Sequence, residues 1–104
     1  MRNLSQKDWS ESLSKENIVI LDVRTPNECA EGIIEGALMI NIMDPQNFMK
    51  EVETLDKSKN YYVYCRSGGR SEQACQYMSA QGFKEANNLI GGMLEWSGNT
   101  VLPK

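Results

Sequence analysis

Between Cys65 and Ser71 the chain places one thiol, two guanidinium groups, two hydroxyls and two adjacent glycines within the segment CRSGGRS. Cysteine is the natural nucleophile of that set, and the form that attacks is the thiolate. The glycines permit backbone angles and close approaches that a side chain forbids, so several N–H groups can converge on one point. With Arg66 and Arg70 beside it and the positive end of a following helix, the segment predicts a concave anion site centred on whatever Cys65 carries. A free cysteine titrates near ~8.5, and helix N-termini and arginines bring such thiols to roughly 3.5–7.5. Cys65 is therefore expected to be substantially thiolate at neutral pH. The chain contains no histidine, so neither a Ser/His/Asp triad nor a Cys/His dyad can be built. Activation of the nucleophile falls to electrostatics alone.

The elements around this loop follow from short-range pattern. Tyr61, Tyr62, Val63 and Tyr64 are aromatic or β-branched and too few for a helix, so they predict a short strand buried on both faces, with Cys65 at its end. From Ser71 onward, Ser71, Ala74, Cys75 and Met78 fall on one helical face, and Gly82 supplies a stop. The unit is strand, tight loop, helix.

The rest of the chain alternates in the same way. Ser5 caps a short amphipathic helix carrying Trp9 and Leu13. Ile18 to Leu21 predicts a buried parallel strand ending in Asp22, Val23 and Arg24. Thr25-Pro26-Asn27-Glu28 is a helix start with a capping threonine, a first-position proline and a glutamate three residues after the cap, and that helix stops near Gly32. Leu38 to Ile40 is a third apolar run. Asp44-Pro45 opens a helix with Phe48, Met49 and Val52 on one face, and DKSKN, residues 56–60, is a surface turn. Leu89 and Ile90 predict a short strand, Gly91-Gly92 a turn requiring residues without side chains, and Met93, Leu94 and Trp96 the last helical turns. Strands alternating with helices imply an α/β domain whose mainly parallel sheet is covered on both faces, with active loops at the strand C-terminal ends, where Cys65 falls. Cys29 and Cys75 lie inside helices and are assigned to packing, since a free cysteine behaves as a small hydrophobe; the alternative for Cys75 is a resolving cysteine, ten residues from Cys65.

Three segments carry a family resemblance: YYVYCRSGGRSEQACQYMSAQG at Tyr61–Gly82, LDVRTPNECAEGIIEGALMIN at Leu21–Asn41 and NNLIGGMLEW at Asn87–Trp96. In this order they resemble the rhodanese family of single-domain sulfurtransferases. The resemblance implies a three-layer α/β/α rhodanese-like domain spanning 1–104, with a mainly parallel central sheet. It implies Cys65 as the catalytic residue that carries a persulfide, and Arg66, Ser67, Gly68, Gly69, Arg70 and Ser71 as the substrate-binding loop. Where the family turn usually has histidine and proline, this chain has Ile33 and Glu35 in GIIEGA. Asp22 and Arg24 match the family's DVR, and their simplest role is to hold that block together by ion pairing, with direct contact to substrate as the alternative.

The expected reaction is a double displacement. A small anionic sulfur donor such as thiosulfate or a persulfide loads Cys65, and a thiol, cyanide or protein thiol acceptor removes the sulfur. No organic cofactor and no metal is expected. One rival is phosphate chemistry, because cysteine-dependent phosphatases separate cysteine from arginine by five residues and the cell-cycle phosphatases share the rhodanese fold. Here Arg70 follows Cys65 after four residues, and Ser71 holds the phosphatase arginine's place, which suits a bowl sized for one sulfur atom. The other rival is a rhodanese-like binding domain without turnover, which typically lacks the cysteine.

Composition sets the outer bounds. With 104 residues the chain is expected to be one domain, with 40% hydrophobic and 24% charged residues and a net charge of −3. The charge argues against nucleic acid as a partner. No apolar run approaches the ~18 residues of a membrane span, so no membrane association is expected. Three cysteines without CxxC spacing fit a reducing, cytoplasmic setting. A monomer or weak dimer is expected.

Overall fold

The computed structural model describes residues 1–104. Five strands form one parallel sheet: β1 (Arg2–Leu4), β2 (Ile18–Asp22), β3 (Leu38–Met39), β4 (Asn60–Tyr64) and β5 (Glu85–Leu89), in the order β1-β5-β4-β2-β3. The helices are α1 (Gln6–Glu11), α2 (Pro26–Cys29), α3 (Pro45–Glu53), α4 (Gly69–Ala80) and α5 (Gly92–Glu95). The sheet is covered on both faces, as the α/β pattern predicts. β4 and β2 form its centre, with Ile18 opposite Asn60 and Asp22 opposite Tyr64.

The two-residue alternation of the strands divides the core. Leu21, Val23, Tyr61, Val63 and Cys65 face one side and pack with Phe48 and Val52 of α3 and Ala74, Cys75 and Met78 of α4. Ile20, Tyr62, Tyr64 and Leu89 face the other side, around Trp9 of α1. Trp9 meets Tyr62, Tyr64 and Trp96 edge to face, and its indole N–H donates to the Asn87 carbonyl at 3.2 Å. An indole fully enclosed in this way anchors α1 to the sheet, and its truncation to alanine would cost about 3–5 kcal/mol.

Local signals fixed most boundaries. Ser5 caps α1, and Thr25 with Glu28 forms a complete capping box at α2. Asp44 caps α3 ahead of Pro45. Three expectations need correction. The last strand is not Leu89–Ile90 but Glu85–Leu89, with Ile90 exposed. Met49 shares no buried face with Phe48 and Val52 and is exposed. The helix after Thr25 ends at Cys29, short of Gly32. Strand β1 has no counterpart in the apolar pattern, because Arg2 and Asn3 are exposed at the sheet edge.

The strand order reverses between β2 and β4: the chain moves outward from β2 to β3, then returns to place β4 on β2's other side and β5 beyond it. In open parallel sheets the crevice at such a reversal, outside the strand C-termini, is where ligands bind. Cys65 follows β4 at that place.

Candidate active site

The end of β4 turns directly into α4, and the turn wraps the Cys65 sulfur. Gly68 is the N-cap residue of α4 with φ +107°, a left-handed conformation that glycine adopts without penalty. That geometry aims the Gly68 N–H at Cys65 Sγ, at 3.1 Å. A Cβ at Gly68 would stand 3.4 Å from the Leu89 carbonyl, an ordinary contact, so it is the backbone angle that calls for glycine here. Gly69 differs: it is the first residue of α4, has no positive φ, and a Cβ there would meet nothing within 4 Å. Only one of the adjacent glycines is needed for backbone conformation.

Cys65 is buried, with 1% of its surface exposed. Burial pushes its thiol up, but the hydrogen bonds reaching the sulfur from the loop, the N–H groups of Ser71, Gly68 and Ser67 among them, outweigh burial, and the thiol lies below its ordinary value. The other two cysteines move the opposite way. Burial raises Cys29 to about 11 and Cys75 to about 12. Cys75 sits on the inward face of α4 within the core, as its helical spacing predicts.

The loop is braced from behind by α5. Met93 N–H donates to the Cys65 carbonyl at 2.9 Å and Leu94 N–H to the Arg66 carbonyl at 3.0 Å. This approach is possible because residue 92 is glycine: φ is +56°, and a Cβ would lie 2.6 Å from both carbonyl oxygens. The Gly-Gly turn is therefore part of the site's support.

The two loop arginines are not equivalent. Arg70 reaches across to Glu28 of α2 with both nitrogens, Nη1 to Oε1 at 2.7 Å and Nη2 to Oε2 at 2.8 Å. Arg70 holds the Glu28 carboxyl well below the usual range, at about 2. Arg66 and Ser67 are exposed, and Arg66 has no side-chain hydrogen bond or ion pair. Beside the loop lies a cleft of about 280 Å³ whose walls include Arg24, Glu28, Glu31, Arg66, Met93 and Leu94. Arg24 is buried and clamped by Asp22, with its Nη2 2.7 Å from Asp22 Oδ2 and 2.7 Å from the Gly32 carbonyl. That arrangement matches the holding role. Ile33, in place of the family's histidine, is buried and pairs by backbone with Val101 at 2.8 Å in both directions, and Glu35 is exposed.

Sequence reasoning named every residue of the loop and missed what stands behind it. Glu28 carries a local signal as a helix-capping residue and none as the partner of a residue 42 positions on. Asn88 and Asn3 lie behind Ser71, with Asn88 Nδ2 donating to Asn3 Oδ1 at 2.9 Å and to the Gly68 carbonyl at 3.2 Å. The pair Asn87-Asn88 does offer a signal: two asparagines in a central buried strand, where their propensity is poor, mark side chains engaged in hydrogen bonding.

Fold and site together define an α/β domain built on a parallel sheet with a cysteine-centred loop at its strand reversal. The chain belongs to the rhodanese-like domain family, whose model matches residues 5–99. It is 45% identical over 85 residues to the Bacillus subtilis protein YtwF, covering 82% of this chain and 79% of that one. It is 36% identical over 95 residues to the thiosulfate sulfurtransferase GlpE of Coxiella burnetii, covering 91% of this chain and 86% of that one. The crystal structure of a rhodanese-like domain protein from Staphylococcus aureus superposes with a TM-score of 0.85 at 26% identity, over the full length of both chains.

Proposed function

We propose that this protein is a sulfurtransferase acting by double displacement through Cys65. The thiolate attacks the outer sulfur of a donor such as thiosulfate. A Cys65–sulfur bond forms, the donor's sulfur–sulfur bond breaks, and sulfite departs with the electron pair. A persulfide donor would release its thiolate instead. An acceptor thiolate or cyanide then attacks the outer sulfur and regenerates the Cys65 thiolate. The observation that carries this reading is the Cys65 sulfur at the N-terminus of α4, hydrogen-bonded by the Gly68 N–H in a loop that reaches Arg70 after four residues instead of the five of cysteine-dependent phosphatases. The inward N–H groups of Ser67, Gly68 and Ser71 supply preorganised stabilisation of negative charge on sulfur, as backbone donors do in an oxyanion hole. The exposed guanidinium of Arg66 attracts the anionic donor, and Met93 and Leu94 give the cleft an apolar wall for an organic donor or acceptor.

The names of the relatives support the same chemistry, among them a sulfurtransferase of Allochromatium vinosum at 38% identity over 94 residues. The phosphatase alternative fares worse, because Arg70, which would have to grip the phosphoryl oxygens, is engaged by Glu28. Intact-protein mass spectrometry tests the proposal. Thiosulfate should add one sulfur atom, located on Cys65 and removed by cyanide or a dithiol. Cys65→Ser should fold, accept no sulfur and show no turnover. Turnover by that variant, or no adduct with thiosulfate or a low-molecular-weight persulfide, would overturn the assignment.

A further inference from the structure

One hydroxyl in this site faces three acceptors. Ser71 Oγ lies 3.3 Å from Cys65 Sγ, 3.2 Å from the Gly68 carbonyl oxygen, and in a short hydrogen bond with Asn88 Oδ1. A serine hydroxyl has a single proton to donate and lone pairs with which to accept. The Asn88 amide determines which neighbour receives that proton. Its Nδ2 contacts the Gly68 carbonyl and Asn3 Oδ1, and a carbonyl oxygen accepts only, so the amide nitrogen must face Gly68 and Oδ1 must face Ser71. Asn88 Oδ1 also accepts only. The short contact is therefore donation from Ser71, which leaves Ser71's lone pairs toward the sulfur.

We propose that Asn88 is a positioning residue for Cys65: it keeps the Ser71 proton on its own Oδ1, so that Ser71 presents a lone pair to the sulfur. The proposal rests on the reading of Cys65 as nucleophile. A lone pair there accepts a hydrogen bond from the thiol S–H and gives nothing to the thiolate. The donors that stabilise the anion are then the backbone N–H groups, and Asn88 works against them through Ser71. The balance has a chemical use. Thiolate nucleophilicity falls with falling pKa, and the best attacking thiol titrates near ambient pH rather than far below it.

Asn88 is suited to this task because it is 3% exposed and held at both ends of its amide, by Ser71 on one side and by Asn3 and Gly68 on the other. The charged and titratable groups around the sulfur are Arg66 and Arg70 from the loop and α4, Glu72 in the first turn of α4 and Cys75 further along it, Glu28 of α2 through Arg70, and the Asp22–Arg24 and Tyr64 group at the ends of β2 and β4. From β5 and β1 the groups joined to Ser71 and Gly68 are the amides of Asn88 and Asn3. Replacing Asn88 or Ser71 therefore alters hydrogen bonding and no formal charge.

The test is the ionisation of Cys65 in the full-length protein, read from iodoacetamide alkylation rates against pH with the modified residue located by mass spectrometry. Asn88→Ala frees the Ser71 hydroxyl for the sulfur, and the Cys65 midpoint should fall by about one unit, a tenfold change in the thiol-to-thiolate ratio at fixed pH. The same substitution in a Ser71→Ala background should produce no shift. Ser71→Ala alone should leave the midpoint in place or lower it. A rise in Ser71→Ala would show that the hydroxyl donates to sulfur, and an equal fall from Asn88→Ala in both backgrounds would show that Asn88 acts without Ser71; either result overturns the proposal, as does an unchanged or raised midpoint in Asn88→Ala alone. Circular dichroism checks folding, and if Asn88→Ala does not fold, the sign of the Ser71→Ala shift still decides. Sulfur loading of Cys65 by thiosulfate is measured separately, so failure here leaves the sulfur-transfer reading standing.

Discussion

Arg70 and Glu28 form a two-pronged ion pair between the Cys65 loop and α2, with both hydrogen bonds under 3 Å and both side chains one-quarter exposed. The pair neutralises one of the loop's two guanidinium groups. Arg66 is left as the unpaired cation at the mouth, so the two arginines should differ when each is replaced.

Glu28→Gln separates the two roles of Glu28. Glutamine retains the capping-box bond to the Thr25 backbone and gives up the negative charge. A partly exposed charge of this kind is worth about 1 kcal/mol. We expect about a fivefold increase in kcat/KM for the dianion thiosulfate, measured as thiocyanate formation, and a smaller change with an alkyl persulfide. Equal effects on both donors would show that Arg70 acts only as a brace.

The same pair sets an acid limit. The Glu28 carboxyl is depressed from its ordinary 4.5 to about 2 in the folded protein. A depressed carboxylate contributes stability that is complete above its unfolded value and is lost as pH falls toward its folded value. Urea midpoints of the wild-type protein should therefore drop between pH 4.5 and 2, and Glu28→Gln should flatten that part of the curve. A parallel drop in both proteins would assign the acid sensitivity to other carboxylates.

Three cysteines with divergent ionisation should alkylate in order. Cys65 lies below its ordinary value, while burial holds Cys29 at about 11 and Cys75 at about 12. Limited iodoacetamide at pH 8 should modify Cys65 first and leave the other two until the protein is unfolded. Cys75→Ser should leave sulfur transfer nearly unchanged. Its loss in a folded Cys75→Ser protein would give Cys75 a part in the chemistry.

Gly92→Ala should damage the site from outside it. An added Cβ meets the Cys65 and Arg66 carbonyls at 2.6 Å and sits on a backbone at φ +56°. Strain of this type costs of order 1–3 kcal/mol, so a lower urea midpoint is expected together with weaker sulfur loading. Gly69→Ala, where a Cβ meets nothing within 4 Å, is the matched control and should retain stability.

The sequence disclosed what short-range periodicity and turn chemistry determine. Ser71, Ala74, Cys75 and Met78 are the buried face of α4, and Tyr61 to Tyr64 are buried throughout, because helix and strand periods are set within a few residues. Cys65 at the strand end follows from the same reading. β5 was legible only at Leu89, since Asn87 and Asn88 replace apolar packing with hydrogen bonds to the carbonyls of Tyr61 and Gly68. β1 was hidden because its partner is distant in sequence: Arg2 pairs with Glu85 and Asn3 lies beside Asn88. Arg70's engagement was equally silent, as nothing near either residue records which acid an arginine will find.

The bond between Asn88 and Asn3 joins residues 85 positions apart, on neighbouring parallel strands. Parallel pairing over such a separation has a large loop-closure cost and forms slowly. The hydrogen-bond order around Cys65 should therefore be completed late in refolding, with the β4–α4 turn formed before the edge strand arrives. Recovery of the native Cys65 ionisation should then report the arrival of β1, and helical signal regained earlier should not.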